Sequence, residues 1–327
     1  MKIGVLTVLL SGLERDKALD YLKSVGVDAV EIGCGGYPGD AHCDASALLA
    51  DERKLDEFKD AIDSRGLELS GLSMHGNPLH PDPEIAKAHA RDERNAVLLA
   101  EKLGLDTVIT FSGCPGDHEG AKYPNWVTCA WPPDYPKILE WQWTEKVIPY
   151  WKESVAFARD HGVSKIALEM HPGFVVYNPE TLLRLRGAVG PEIGANFDPS
   201  HLFWQGIDVP ESILELGGAG ALHHFHAKDS RVEPRVARRY GVLDTKPYTD
   251  EQRRAWIFRT VGYGHDETVW KDIASALRLV GYDGVLSIEH EDLLMSAREG
   301  IIKSVDFLRP IVLTTMPEAT PAWLQGG

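Results

Sequence analysis

Short apolar runs recur along the chain, separated by longer stretches with helical spacing. The runs are Ile3–Val8, Ala29–Ile32, Leu69–Met74, Thr107–Phe111, Lys165–Met170, Ile193–Phe197, Ala221–Phe225 and Val285–Ile288. Runs of this length suit strands buried on both faces. Helix-length segments such as Asp82–Leu103 and Thr144–His161 lie between them. Five joints share one pattern, with a glycine closing the helical stretch just before the next run: Gly26, Gly66, Gly104, Gly162 and Gly281. Glycine is apt there because it adopts the left-handed conformation without a Cβ clash. Strands alternating with helices predict right-handed parallel units. An open doubly wound sheet is the alternative, but the regular eightfold count favours closure into a (β/α)₈ barrel spanning residues 1–310, with a tail over 311–327. No linker divides the chain.

Composition adds mainly exclusions. With 43% hydrophobic and 25% charged residues, the chain has an ordinary globular balance. Nothing reaches the roughly 18 apolar residues of a membrane span. The apolar stretch Val5–Leu10 is interrupted by Ser11, Gly12, Glu14 and Arg15, so it suits a buried strand and not a signal peptide. A cytoplasmic protein with no membrane partner is expected. The formal net charge of −15 disfavours nucleic acid. Cys34, Cys43, Cys114 and Cys129 form no C-x-x-C pair and read as reduced thiols.

Two joins after strands are long. Gly113–Pro136 carries Tyr123, Trp126, Trp131 and Tyr135. Ser230–Asp266 carries Arg231, Arg235, Arg238, Arg239, Arg253, Arg254 and Arg259. Both follow the C-terminal ends of strands, where barrel active sites are built. The first is a candidate stacking surface; the second is a candidate phosphate site, lid or subunit contact.

Candidate chemistry gathers at the ends of the last four runs. These read Glu169-Met170-His171, Asp198-Pro199-Ser200-His201, His223-His224-Phe225-His226-Ala227-Lys228-Asp229 and Glu289-His290-Glu291-Asp292. A carboxylate flanked by apolar strand residues is costly to bury unless paired or coordinated. Four successive strands would gather Glu169, Asp198, a seventh-strand histidine and Glu289 on one side of the mouth. Three carboxylates and one imidazole suit Mn²⁺, Mg²⁺, Co²⁺ or Zn²⁺. His224 and His226 share a face of the strand, so spacing leaves the choice between them open.

These segments, with Lys2-Ile3-Gly4-Val5 and Gly281-Tyr282-Asp283-Gly284, resemble the xylose-isomerase-like TIM barrels, the sugar phosphate isomerase/epimerase group. That group includes ketose 3-epimerases, inosose dehydratase and, more distantly, endonuclease IV. The resemblance implies one divalent metal, Mn²⁺ first, on Glu169, Asp198, His226 and Glu289, with no organic cofactor. It also implies that Glu169 and Glu289 exchange a proton on opposite faces of the substrate, and that His201 matches the histidine following the metal aspartate. Departures from the epimerases are Gly173-Phe174-Val175-Val176 in place of a second glutamate, a shifted Arg231, and the long aromatic loop.

The expected activity is proton abstraction beside a carbonyl of a sugar or keto-sugar, giving isomerisation or epimerisation. The alternative is a lyase or dehydratase in which the same first step is followed by β-elimination, as from a 3-keto-glycoside in C- or O-glycoside deglycosidases. His75, His118, Trp126 and Arg231 are the candidate substrate contacts. An endonuclease IV-like phosphodiesterase is disfavoured by the acidic charge and by the lack of an Asp-x-His pair after the seventh run. Expected partners are a small sugar or glycoside and further copies of the chain, with a small accessory subunit in the deglycosidase case. The apolar tail residues Trp323 and Leu324 suggest packing on another chain.

Overall fold

A computed structural model describes residues 1–315; the tail residues Trp323 and Leu324 lie outside them. Ten strands occur among the described residues: β1 (Lys2–Leu6), β2 (Ala29–Gly33), β3 (Glu68–Ser73), β4 (Thr107–Phe111), β5 (Lys165–Glu169), β6 (Ile193–Phe197), β7 (Leu222–Ala227), β8 (Asp229–Val232), β9 (Trp256–Arg259) and β10 (Val285–Ile288). Eight close into a parallel barrel in the order β1-β10-β7-β6-β5-β4-β3-β2. The eight apolar runs thus correspond to the eight barrel strands, with ends shifted by a residue or two. At β1 the strand ends two residues early, where Thr7–Leu10 turns into a short 3₁₀ segment.

Helices follow the barrel strands and bury their apolar stripes against them. The long segment Pro83–Leu103 starts where the Asp82 side chain caps the amide of Glu84 and stops at Gly104, with φ of 71°. Gly26, Gly66, Gly162 and Gly281 also have positive φ, as the joint pattern anticipated. The helix expected from Thr144 begins earlier, at Asp134 after Pro132-Pro133, and continues through a π-helical turn, Gln142–Val147, into Ile148–Asp160. No helix of the described residues is long and apolar enough to cross a membrane.

The Ser230–Asp266 join is more structured than a loop. β8 and β9 pair antiparallel, with Asp229 opposite Arg259 and Val232 opposite Trp256, and a helix, Pro234–Tyr240, lies between them. Trp256 stacks on Trp204 at 4.8 Å, tying this hairpin to the barrel. Fully buried Asp229 anchors its return, accepting from the amides of Gly262, Gly264 and His265 and facing His265 Nδ1 at 2.7 Å. With the Ser230 amide and the Trp270 indole N–H, six convergent contacts satisfy a buried carboxylate that would otherwise be costly.

Candidate metal centre

Strand alternation aims the key groups. In β7, His224 and His226 share one face, while Phe225 on the other stacks against Phe197 at 5.7 Å. Glu169 ends β5, Asp198 follows β6 as the N-cap of Pro199–Phe203, and Glu289 follows β10. One donor atom from each of Glu169, Asp198, His226 and Glu289 lies within 4.8 Å of the others. Donors around one ion at about 2.1 Å can be no more than about 4.2 Å apart, so the set is at most about 0.6 Å too wide for coordination.

Two features fit a cation among these atoms. Asp198 Oδ2 and Glu289 Oε2 are buried without a hydrogen-bond partner. Glu289 Oε2 lies only 3.0 Å from His226 Nδ1, close but poorly directed for a hydrogen bond, as befits two donors facing a common ion. The remaining atoms are held from behind. Asp198 Oδ1 accepts from the Ser200 amide at 2.8 Å, and Asn196 Nδ2 donates to Glu169 Oε2 at 3.3 Å.

Histidines crowd Glu169. His201 Nε2 lies 3.0 Å from Oε1, and His75 Nε2 lies 3.0 Å from Oε2. Burial opposes charge on Glu169, but His201, His226 and His75 outweigh it and hold the carboxyl well below its usual range. Burial likewise opposes ionisation of Glu289, yet Lys228 and His226 pull it down to about 2. At Asp198 burial prevails and the pKa rises. His226 is pulled up against burial by Glu31, Glu169 and Glu289. The centre is therefore one of opposite charges in contact, and a metal ion would compete with the positive charge that His226 and Lys228 already bring to these carboxylates.

Two buried residues of the site were not singled out from the sequence. Lys228 reaches 3.2 Å from Glu289 Oε1, and Glu31 lies against the far edge of His226. Glu31 carried the very signal used for Glu169, a lone carboxylate inside the apolar run Ala29-Val30-Glu31-Ile32. Lys228 had only its position two residues after His226, on the same face of the chain.

A cavity of about 440 Å³ opens over the centre, lined by His75, Glu169, His171, Lys228, Glu289 and Glu291 on its polar side. Its other wall is apolar, made by Leu6, Val8, Tyr37, Pro38, Phe111 and Phe174. Phe111 and Phe174 stack at 4.2 Å. Another hollow, of about 450 Å³ between Glu14–Asp16 and Asp40–Asp44, contains none of these groups.

Three expected substrate contacts do not line this cavity. His118 is 68% exposed and pairs with its neighbour Asp117, because the loop turns outward there. Trp126 packs edge-on against Tyr177 at 5.3 Å, and Trp131 is 76% exposed. Arg231 points outward from the β8–β9 hairpin toward Glu233. The hairpin's other arginines are also engaged elsewhere or exposed: Arg259 with Asp292, Arg253 with Asp250, Arg254 on backbone carbonyls. Among the described residues, Lys228 is the only lysine or arginine in the cavity lining.

A closed parallel barrel with a carboxylate–histidine cluster at its C-terminal mouth defines the class. The chain belongs to the xylose isomerase-like TIM barrel family, whose model matches residues 19–311. It is 41% identical over 314 residues to the uncharacterized protein YfiH of Bacillus subtilis, covering 95% of this chain and 99% of that one. It is 26% identical over 282 residues to the rhizopine catabolism protein MocC of Rhizobium meliloti, covering 84% and 74%. Among solved structures, the probable 3-DHS dehydratase AsbF of Bacillus anthracis aligns with a TM-score of 0.65 at 16% identity, covering 94% and 99%. D-psicose 3-epimerase of Clostridium cellulolyticum, solved with D-tagatose, aligns with a TM-score of 0.58 at 15% identity, covering 95% and 99%. The structural likenesses establish the fold, and both epimerases and a dehydratase share it.

Proposed function

We propose that this protein is a divalent-metal-dependent sugar isomerase or epimerase that removes a proton next to a carbonyl of a sugar or keto-sugar. The observation that carries this reading is the convergence of Glu169, Asp198, His226 and Glu289, two of which, Glu169 and Glu289, line a barrel-mouth cavity. A bound divalent ion, with Mn²⁺ first and Mg²⁺, Co²⁺ or Zn²⁺ as alternatives, supplies Lewis acidity that polarises the carbonyl and acidifies the adjacent C–H. Glu169 and Glu289 come from strands three apart around the barrel and can address a substrate from two sides. In this reading one takes the proton and the other returns it. Lys228 presents a fixed ammonium to the oxygen that gains charge. His75 and His201 hold Glu169 in place and offer hydrogen bonds to hydroxyls.

A second reading, β-elimination from a 3-keto-glycoside, is favoured by the apolar wall of Tyr37, Phe111 and Phe174. Stacked rings suit the face of an apolar substituent better than a fully hydroxylated chain. The substrate oxygen pattern and first proton abstraction are shared; the fates differ. The deciding experiment incubates Mn²⁺-loaded protein in D₂O with free ketoses, inososes and 3-keto-glycosides, followed by mass spectrometry. Deuterium at the carbon beside the carbonyl marks reprotonation; an unsaturated keto-sugar and a released group mark elimination. Absence of both across the panel, with metal bound, would sink the proton-abstraction reading for these substrates.

A further inference from the structure

Within the barrel, Glu31 is 0% exposed, and no step proposed above uses it. Its carboxylate lies 2.9 and 3.0 Å from His226 Nε2, accepts from Ser287 Oγ at 2.6 Å, and also accepts from the Ser73 hydroxyl. It thereby links β2 to β3, β7 and β10 at one point. We infer that Glu31 is a positioning residue for the metal centre: it fixes the ring of His226 so that Nδ1, and not Nε2, is the ligating nitrogen. This inference rests on the metal reading of the site above.

The argument is one of donors and acceptors. An ionised carboxylate only accepts, so the imidazole nitrogen facing both Glu31 oxygens must carry hydrogen. Nε2 is then committed to Glu31 and has no lone pair to offer. The opposite nitrogen, Nδ1, lies 3.0 Å from Glu289 Oε2 and 3.4 Å from Glu169 Oε2, inside the ligand cluster. A ring flip would turn carbon toward Glu31 and break this arrangement. A purely structural role explains the position poorly. A buried carboxylate is expensive, and an apolar side chain of similar volume commonly serves stability as well or better. Carboxylates that receive the second N–H of a metal-bound histidine orient the ring and raise its basicity.

The test uses Mn²⁺ itself as the probe, with wild type, Glu31→Gln and Glu31→Leu. Calorimetric titration gives affinity, ¹⁴N hyperfine coupling on bound Mn²⁺ reports the imidazole, and thermal unfolding of metal-free protein reports stability. Losing such a partner typically weakens metal binding about 10–100-fold. Glu31→Leu should show the upper end and a weakened nitrogen coupling. Glu31→Gln, which keeps an uncharged acceptor, should recover to about 10-fold below wild type, and it serves alone should the Leu variant not fold. Unchanged Mn²⁺ affinity in the folded variants, with only unfolding temperature altered, overturns the inference. Wild type that takes up no Mn²⁺ would instead overturn the metal reading, and this inference with it.

Discussion

Lys228 Nζ lies 3.2 Å from Glu289 Oε1, while the other oxygen of the same carboxylate faces His226 Nδ1 at 3.0 Å. Glu289 is thus shared between a fixed cation and the proposed metal position. The ammonium is further enclosed by Asp198 Oδ2 at 3.7 Å, Glu291 Oε2 at 2.5 Å and the face of Phe258 at 4.4 Å. Burial alone would discourage its charge, but Glu289, Glu291, Asp198 and Glu169 outweigh burial and hold the lysine well above its usual range. It remains an ammonium throughout the accessible pH range.

Replacing Lys228 with Met should therefore separate stability from metal affinity. Metal-free protein would lose the partner of several buried carboxylates, a change that typically costs about 3–5 kcal/mol. A divalent ion would meet less competing positive charge and should bind about tenfold more tightly or better. Thermal unfolding with and without Mn²⁺ reads both effects. A variant whose metal-free stability and Mn²⁺ affinity match wild type would show that Lys228 is electrostatically idle.

The ligand set predicts that purified protein carries about one divalent ion per chain. Glu169→Ala, Asp198→Ala and His226→Ala should each lose it, as measured by elemental analysis after gel filtration. Full occupancy in all three would dissolve the assignment, since four-donor sites rarely tolerate loss of a ligand.

The apolar wall carries its own prediction. Phe174→Ala should weaken binding of an aryl glucoside probe such as phenyl β-D-glucoside while leaving glucose binding nearly unchanged, measured by saturation-transfer NMR on metal-loaded protein. Loss of a stacked ring contact corresponds to about 1 kcal/mol, several-fold in affinity. Equal effects on both sugars would mean the wall contacts the sugar ring alone, favouring the isomerase reading.

Much of the barrel was legible because burial on both faces leaves a strong mark: eight apolar runs, each introduced by a turn and many by a left-handed glycine. The candidate site is legible where a carboxylate interrupts or closes a run at its C-terminal end, as at Glu169, Asp198 and Glu289. Glu31 is less legible because it sits within its strand, not at the C-terminal end where barrel sites are built. His118, Trp126 and Arg231 follow strand ends near the mouth, but long joins are free to turn outward, and two of these side chains, His118 and Arg231, are exposed. The apolar wall was hidden for the complementary reason. Tyr37 and Phe174 come from two separate joins and Phe111 from the end of β4, and only closure of the barrel brings them together.

His223 offers a pH test outside the centre. Burial, with Arg186 and Lys165 nearby, pushes its pKa down to about 4. Above about pH 6.5 the ring is neutral in both folded and unfolded chains. As pH falls below that value the unfolded chain takes up a proton that the folded chain refuses, so stability drops until about pH 4. One group contributes up to about 1.4 kcal/mol per pH unit in that window. His223→Gln should lose less stability than wild type between pH 7 and pH 4.5, compared by urea unfolding. Identical acid losses would show that His223 titrates normally.

The proton-transfer roles are tested by Glu169→Gln and Glu289→Gln. Glutamine keeps a carbonyl oxygen able to ligate but cannot accept a proton, so turnover should suffer far more than metal content. Loss of general acid–base catalysis typically costs about 10²–10⁴-fold in rate. If Glu169 alone abstracts the proton and Glu289 alone returns it, Glu169→Gln should abolish deuterium exchange in D₂O. Glu289→Gln should retain exchange at the carbon served by Glu169 while losing net conversion. An eliminating enzyme would behave differently, because Glu169→Gln would block release of the leaving group and no exchange into recovered substrate is required. Metal-replete Gln variants that turn over near the wild-type rate would reduce both glutamates to ligands. The base would then be sought among His75, His171 and His201, which surround the same carboxylate. Of these, His171 is half-buried, and desolvation together with the nearby His201 holds its pKa down to about 3, so it would be neutral and able to accept a proton.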